Sequence, residues 1–393
     1  MPHATSRSRM GTSSVSMPGG DVPGLSGAED AARQGHGPLH GQRRPAIIPR
    51  RAVLQRAAVL MGSVALAGLS ARTARAGHVV EVLVDPGPCV AHGKPCRQTG
   101  DAAAELKVEV SDPRFYAYVG TQFRLDLLFD GATQAGGPAW LPARQALIFS
   151  DAARNLLYRW TDAGGAQVFR SPAHRASGNA VDADGRLVTA ERGRRAISRT
   201  DAQGQVQLLA ERLEGRRFNA PRGIAIHPDG SIWFSDPPDA VASEPGRMPA
   251  PSEMVGSYVY RLDPKTGTVG IATFETFRPA GLAFSPDGRS LYVVENSSVE
   301  FPRNGQRQLL LFDVAGTRLK NRRVLAEIRP GAPEAVVVRP NGIIFCSSGS
   351  GLIALLPDGS ELGRLTLGRP VTGGIFADER ALFFTTASRL YRL

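Results

Sequence analysis

Acidic and polar side chains recur where short apolar stretches of this chain end, and these are the residues whose types could carry chemistry. Asp151 and Asp236 each close a Phe-Ser-Asp phrase, and the pairs Glu191-Arg192 and Glu295-Asn296 close comparable stretches. A carboxylate in such a place can accept N–H bonds from a turn or can face a ligand. We interpret Asp151 and Asp236 as turn acceptors, and both interpretations stay open for the two pairs.

Other reactive side chains lack the partners that their chemistry needs. Ser235 has no histidine and acid that the sequence can place beside it, so a Ser-His-Asp triad has no support. His174 has no acid–base companion nearby and is expected in a surface loop, and His227 precedes a turn proline and is expected to be exposed. The chain also has no phosphate-binding glycine-rich loop, no CxxC pair and no basic–aromatic stripe.

The elements that must position these residues are copies of one hairpin phrase. In Phe218–Pro238 an apolar strand, the turn Pro228-Asp229-Gly230 and a second apolar strand follow one another. Proline presets φ and glycine accepts positive φ, so the turn has a physical cause. Six such units are expected, with first strands near Trp140, Ala180, Ile224, Gly281, Val336 and Gly374.

The spacing of the copies predicts the fold. Four turn glycines, at positions 185, 230, 288 and 342, are separated by 45, 58 and 54 residues. Periods of this size with about four strands in each unit are typical of a β-propeller. A β-sandwich would not explain six copies of one phrase. We therefore predict an all-β, six-bladed β-propeller over residues 115–393, after a preamble at 77–114.

Most of the chain's positive charge belongs to its first 76 residues. They hold ten arginines and three acids, which is +7 of the net +11 over 393 residues. The remainder is only mildly basic, so the charge does not indicate nucleic-acid binding. Residues 1–49 are polar and aperiodic, and we predict that they are disordered.

Residues 50–76 have the order of an export signal. Arg50-Arg51 precedes a modest apolar run at Ala57–Leu69, and the small-x-small site Ala74-Arg75-Ala76 follows. The paired arginine indicates the twin-arginine route with cleavage after Ala76, and hence a periplasmic or secreted protein. The apolar run is too short for a stable membrane span and contains two glycines.

The cysteines suit an exported chain. Cys89 and Cys96 lie in a Gly/Pro-rich segment and are close enough to form a small disulfide ring, although the sequence does not establish that they pair. Their spacing does not suit a CxxC-type metal site, so His92 is expected to be a loop residue. Cys346 lies inside an apolar strand and is expected to be a small buried hydrophobe.

Several phrases resemble the gluconolactonase and senescence-marker-protein (regucalcin-like) family, over about residues 110–393. The phrases are Asp112–Phe115, Gly137–Trp140, Leu147–Asp151, Ser231–Pro238, Tyr260–Asp263, Gly281–Gly288 and Ala387–Tyr391. The resemblance implies a metal-dependent lactonase with one divalent cation, Ca²⁺ or another, held by oxygen ligands in the central channel. The cation would polarise a lactone carbonyl and a carboxylate would take a proton from water.

The family's ligand positions are substituted in this chain. The residues at these four positions are Gly136, Arg222, Ala280 and Glu334. The flanking prolines are kept around every substitution, so a shifted alignment does not explain them. One carboxylate beside a guanidinium is a poor site for a dication, because Arg222 would repel it at short range. We therefore expect no resident metal, and we predict that Arg222 takes the cation's place and pairs with Glu334.

Three functions remain open from the sequence. The first is the family's metal-dependent opening of a sugar lactone or related ester, against which the lost ligands argue. The second is metal-independent hydrolysis with Glu334 as acid or base and Arg222 stabilising an oxyanion. The third is a non-catalytic propeller that binds a small molecule or partner in its channel. We predict altered or absent lactonase activity, with Asn219, Arg192 and Glu295 as ligand contacts.

Overall fold

The computed structural model describes the backbone of four short N-terminal strands and, with side chains, residues 106–121, 123–238, 251–378 and 381–393. The predicted leader, its cleavage site, Cys89 and Cys96 lie outside the described residues. The chain enters the propeller through six strands and one short helix. These are β1 (Val79–Val82), β2 (Val84–Asp85), β3 (Val90–Ala91), β4 (Lys94–Pro95), β5 (Leu106–Val110), α1 (Arg114–Tyr118) and β6 (Leu125–Asp130).

The remaining strands form six antiparallel blades, as the repeats predicted. Blade 1 consists of β7 (Ala135–Leu141), β8 (Ala146–Asp151), β9 (Leu156–Thr161) and β10 (Gly165–Arg170). Blade 2 consists of β11 (Ala176–Val181), β12 (Leu187–Glu191), β13 (Ala196–Thr200) and β14 (Val206–Ala210). The small hairpin β15 (Arg212–Leu213) and β16 (Arg216–Arg217) follows.

Blades 3 to 6 repeat this arrangement. Blade 3 consists of β17 (Ile224–Ile226), β18 (Ile232–Asp236), β19 (Tyr258–Leu262) and β20 (Val269–Thr273). Blade 4 consists of β21 (Pro279–Phe284), β22 (Ser290–Glu295), β23 (Gln308–Ala315) and β24 (Arg318–Glu327). Blade 5 consists of β25 (Val336–Val338), β26 (Ile344–Ser348), β27 (Gly351–Leu355) and β28 (Glu361–Thr366). Blade 6 includes β29 (Gly373–Phe376), β30 (Leu382–Thr385) and β31 (Arg389–Arg392). Two 3₁₀ turns occupy Pro142–Arg144 and Ser297–Val299.

The N-terminal segment closes the ring. Strand β6 pairs with β31 as the fourth strand of blade 6, with Leu127 opposite Tyr391. Residues 77–114 are more than a preamble, because β5 adds to β28 of blade 5 and β1 adds to β5. These additions cover outer blade edges that would otherwise expose unpaired backbone groups. In the part of the chain that the structure describes, no helix is long and apolar enough to cross a membrane.

The hairpin of blade 3 shows why the repeated phrase folds as it does. Its register places Ile224 opposite Phe234, and the turn closes with the amide of Gly230 donating to the carbonyl of His227 at 2.8 Å. Gly230 adopts a φ of +86°, which favours glycine. The Asp229 carboxylate accepts the amide of Ser231 at 2.7 Å, so the Pro-Asp-Gly sequence itself makes the turn.

Apolar side chains pack between neighbouring blades and form the core. Val188 and Ile197 of blade 2 lie in one buried cluster with Phe234 and Tyr260 of blade 3, whose rings stack at 5.2 Å. This packing fixes each sheet's angle to the next, and it leaves the innermost strands to surround a central channel.

Candidate functional site

Three rings of residues surround the central channel, one residue from each blade in each ring. They lie two residues apart in sequence, along or just before each innermost strand, and β7, β11 and β21 each have an irregular register between the upper and middle rings. The upper ring consists of Gly136, Ser177, Arg222, Ala280, Glu334 and Thr372. The middle ring consists of Pro138, Asn179, Ile224, Leu282, Val336 and Gly374. The lower ring consists of Trp140, Val181, Ile226, Phe284, Val338 and Phe376.

Small residues between the upper and middle rings let the innermost strands approach closely. A Cβ on Gly223 would lie 2.1 Å from the carbonyl oxygen of Ala280, and one on Gly178 would lie 2.2 Å from that of Arg222. Gly137, Gly281 and Gly373 make similar contacts with the next blade. These glycines therefore set the diameter of the channel at the level of the upper ring.

Three of the four family ligand positions, Gly136, Arg222 and Glu334, border a cavity of about 680 Å³, whereas Ala280 is fully buried and is not among its lining residues. The charged residues among those lining this cavity are Arg192, Arg222 and Glu334. The guanidinium of Arg222 lies against the carboxylate of Glu334, so the predicted ion pair is present. Both side chains are about one-fifth exposed, at 20% and 21%.

Glu334 is fixed through both its backbone amide and its side-chain carboxylate. Its backbone amide donates to the Ser347 hydroxyl at 2.8 Å, and its carboxylate accepts the Asn296 side-chain amide at 3.3 Å. Asn296 is itself fixed, because it donates to the carbonyl of Pro333 at 2.8 Å and accepts from Arg278 at 2.7 Å. The carboxylate therefore faces Arg222 from an ordered position.

The upper ring does not supply the ligands that a divalent cation needs. Gly136 has no side chain, and Ala280 is fully buried with its carbonyl oxygen accepting the Ser235 hydroxyl at 2.6 Å. The one carboxylate, on Glu334, is paired with a cation of the chain itself. Among the described residues, no group of three histidines, cysteines or acids could hold a metal ion. The residues present do not fit the metal that the family resemblance implies.

Asn219 has a scaffold role rather than the ligand contact that the sequence suggested. It is 1% exposed and is not among the described residues that line the upper cavity. Its side-chain amide donates to the carbonyl of Gly256 at 3.2 Å, and its side-chain oxygen accepts the Ser252 hydroxyl. Its backbone amide donates to Asp236 at 2.7 Å. The side chain is committed to these loops, which explains why it does not face the channel.

Glu295 likewise binds backbone rather than lining the cavity. Its carboxylate is fully buried and accepts the amides of Phe277 at 2.9 Å, Arg278 at 3.0 Å and Ser297 at 3.2 Å. The prediction that Glu295 contacts a ligand is therefore wrong, because its carboxylate accepts turn amides that have no other partner in the sheet. Glu191 is also fully buried, and it accepts from Arg170 at 3.0 Å and from Ser198 at 2.5 Å.

The turn interpretation of the Phe-Ser-Asp phrases is confirmed. Asp151 accepts the amides of Thr133 at 2.9 Å and Gln134 at 3.0 Å, and Asp236 accepts that of Ala220 at 2.7 Å. In blades 1 and 3 the aspartate at the end of the second strand thus binds backbone amides of the loop that precedes the first strand of its blade.

Arg192 does line the upper cavity, as expected, and is partly buried. His227 differs from its expected exposure: it is 19% exposed, its Nδ1 lies 2.9 Å from Asp229, and its Nε2 lies 3.1 Å from the carbonyl of Gly288. It therefore joins the turns of blades 3 and 4. Cys346 is buried and unpaired as expected, and burial raises the pKa of its thiol.

Asn179 is a middle-ring residue that the sequence analysis missed. It is 7% exposed, and its amide donates at 2.8 Å to both the carbonyl of Gly137 and the hydroxyl of Ser150. Its side-chain oxygen accepts from Thr189 at 3.0 Å. The available signal was a polar residue at a position of the repeat that is otherwise apolar or small. Its bonds fix blade 2 to blade 1.

Comparisons with known proteins agree with this architecture. A model described as the SMP-30/gluconolactonase/LRE-like region matches residues 135–388. A gluconolactonase from Zymomonas mobilis is 26% identical over 308 residues, which are 72% of this chain and 84% of that protein. The structure of a gluconolactonase from Xanthomonas campestris has 32% identity and a TM-score of 0.67, covering 81% of this chain and 98% of the other.

A more distant structure shows the same fold. Regucalcin from Agrobacterium tumefaciens, described as a calcium-binding protein, has 19% identity and a TM-score of 0.54, covering 67% of this chain and 90% of the other. The matched region begins at the first strand of blade 1 and extends into the last hairpin of blade 6. On the family match and the Xanthomonas structure together, this chain belongs to the SMP-30/gluconolactonase/LRE-like family.

Proposed function

We propose that this propeller binds a small oxygen-rich ligand, such as a sugar lactone or a related ester, in its upper cavity and lacks the family's cation-dependent lactonase activity. The observation that carries the proposal is the Arg222–Glu334 ion pair at two of the four family ligand positions. The other two positions offer no side-chain oxygen, since they are Gly136 and Ala280.

Binding is supported by the chemistry of the cavity wall. The guanidinium groups of Arg192 and Arg222 can donate to carbonyl, ring or carboxylate oxygens in a fixed geometry. The cavity of about 680 Å³ lies within the usual range of small-molecule sites, roughly 300–1,000 Å³. Asn219 and Glu295 are not part of this proposal, because both are committed to backbone contacts.

Metal-independent hydrolysis is a second candidate, and the same ion pair favours it. Glu334 is a carboxylate beside the cavity that could remove a proton from water, and Arg222 is a fixed cation that could stabilise an oxyanion. In this candidate the attacking water adds to the lactone carbonyl, the ring C–O bond breaks, and the proton passes through Glu334 to the leaving alkoxide. The products are the ring-opened hydroxy acid and the regenerated carboxylate.

One set of measurements separates these functions. Gluconolactone hydrolysis and thermal stability are measured on purified protein with calcium, with a chelator and with neither, while binding is followed by calorimetry. Binding without turnover and without a calcium effect is the expected result. Turnover that a chelator does not change supports the second candidate. Calcium-dependent turnover, or a calcium-dependent rise in melting temperature, overturns the proposal.

We also propose that the protein is exported by the twin-arginine route and works outside the cytoplasm. The support is Arg50-Arg51, the apolar run after it and the Ala74-Arg75-Ala76 site.

A further inference from the structure

The lower end of the channel is a second, chemically different space. It is a cavity of about 900 Å³ at the opposite end from the Arg222–Glu334 pair. The six lower-ring side chains border it, one from each blade, and all of them are apolar. Each is half-buried, so part of its apolar surface faces the open channel. Apolar surface of this kind is stabilised when an apolar group displaces water from it.

Four residues with polar side chains line this cavity and are engaged with other groups: Arg144, Asp182 and Asp184 lie in turns of blades 1 and 2, and Asn179 lies in the middle ring. Arg186 forms a salt bridge to Asp182 at 2.7 Å and contacts Asp184. Arg144 donates to the carbonyl of Ala202 at 2.7 Å. Between these turns and the middle ring the cavity is bordered by the six apolar lower-ring side chains, which suit an alkyl chain better than a sugar.

The two cavities share one set of lining residues. All six middle-ring residues border both the upper and the lower cavity, so the two spaces meet at the middle ring. Within each blade four positions along the chain separate the upper from the lower ring, which is at most about 13 Å at the usual rise of an extended strand. A ligand with its polar head beside Arg222 can thus place a medium-length chain beside Val338 and Ile226.

We infer that the channel binds an amphipathic ligand: an alkyl-substituted lactone, or the hydroxy acid from it, with its head in the upper cavity and its alkyl tail in the lower ring. This inference rests on the proposed function, which places the polar head in the upper cavity, and it adds the class of ligand, an alkyl-substituted lactone or its hydroxy acid. The tail site gives the lower cavity an occupant that matches its apolar wall and its connection to the polar end.

The test is the dependence of affinity on chain length. Dissociation constants of the purified full-length chain are measured by calorimetry for γ-butyrolactone, γ-octalactone and γ-decalactone. Burying each methylene contributes up to about a fourfold gain in affinity, so a steep rise along the series is expected. Val338→Asn and Ile226→Asn should each flatten this rise and leave γ-butyrolactone affinity unchanged. Val324→Asn, at a half-exposed residue of outer strand β24, is the matched control and should keep the rise.

The outcomes distinguish the inference from the proposed function. If γ-butyrolactone binds and the affinity does not increase with chain length, the tail site is overturned and the proposed function stands. If the increase persists in both lower-ring variants while their melting temperatures match the unmodified chain, the tail lies elsewhere and the inference is also overturned. If neither these lactones nor gluconolactone binds, both the proposed function and the tail-site inference are overturned.

Discussion

The guanidinium of Arg222 contacts the carboxylate of Glu334 across Ala280, the upper-ring residue of the blade between them. Ala280 is fully buried and packs in the core cluster with Val294 and Val336, so it contributes no charge or polar side chain between the two charged groups. Two of the substitutions thus act together, because Arg222 and Glu334 form an ion pair. The resulting channel wall carries its own cation where a metal-binding relative would need ligand oxygens.

The first prediction concerns the strength of this pair. In a double-mutant cycle of Arg222→Met and Glu334→Gln, we expect a coupling free energy of about 1–2 kcal/mol, because both side chains are mostly shielded from water. The control is the pair of Arg323 and Asp313, whose side chains are 46% and 40% exposed. Urea unfolding should give that pair a clearly smaller coupling, since solvent screens it. Equal coupling in both cycles would show that the inner pair has no special environment.

The second prediction concerns the close approach of the innermost strands. Gly223→Ala should lower the free energy of unfolding by about 1–3 kcal/mol, because the new methyl group would lie 2.1 Å from the Ala280 carbonyl oxygen. Gly270→Ala in outer strand β20 is the matched control, since a Cβ there meets nothing within 4 Å. Denaturant unfolding measures both. A Gly223→Ala protein as stable as the Gly270→Ala protein would contradict a channel diameter set by these glycines.

The third prediction concerns acid stability at the blade 3 turn. Burial raises the pKa of Asp229, but bonds from Ser231 and from His227 outweigh it and leave the pKa below its ordinary 3.8. A lowered pKa in the folded state stabilises the protein above about pH 4, and this contribution is lost as the pH falls through the folded pKa. Asp229→Asn should therefore lower the melting temperature near neutral pH and by less in acid. Melting curves that differ by the same amount from about pH 6 to about pH 3 would contradict this.

The fourth prediction concerns export. Replacing Arg50 and Arg51 by lysine should retain the protein in the cytoplasm with its leader uncleaved, because the paired arginine directs the twin-arginine route. Cell fractionation and the mass of the mature N-terminus measure the result, and Arg43→Lys with Arg44→Lys is the control outside the signal. Export of the variant at the normal level, or a mature chain that does not begin at Gly77, would refute the proposed signal.

The sequence predicted the blades because each one is a local pattern. Short turns such as Pro228-Asp229-Gly230 between apolar strands form hairpins, and the six hairpins need each other's faces to bury their apolar residues. It also predicted Asp151 and Asp236 as turn acceptors, because a short acid after a strand reaches nearby amides. The pairing of β5 with blade 5 could not be predicted from a local pattern, since its partner strand β28 lies about 250 residues away along the chain.

The amino-acid sequence determined by itself the repeated hairpins, the resemblance to the family and the residue types Gly136, Arg222, Ala280 and Glu334 at the four compared positions. Only the tertiary structure decided which polar side chains face the channel. Asn219 and Arg222 are three residues apart, yet one is buried among loops and the other lines the cavity. Residue type and spacing do not encode that difference, because a side chain's direction depends on how neighbouring blades pack and on which backbone amides remain to be satisfied.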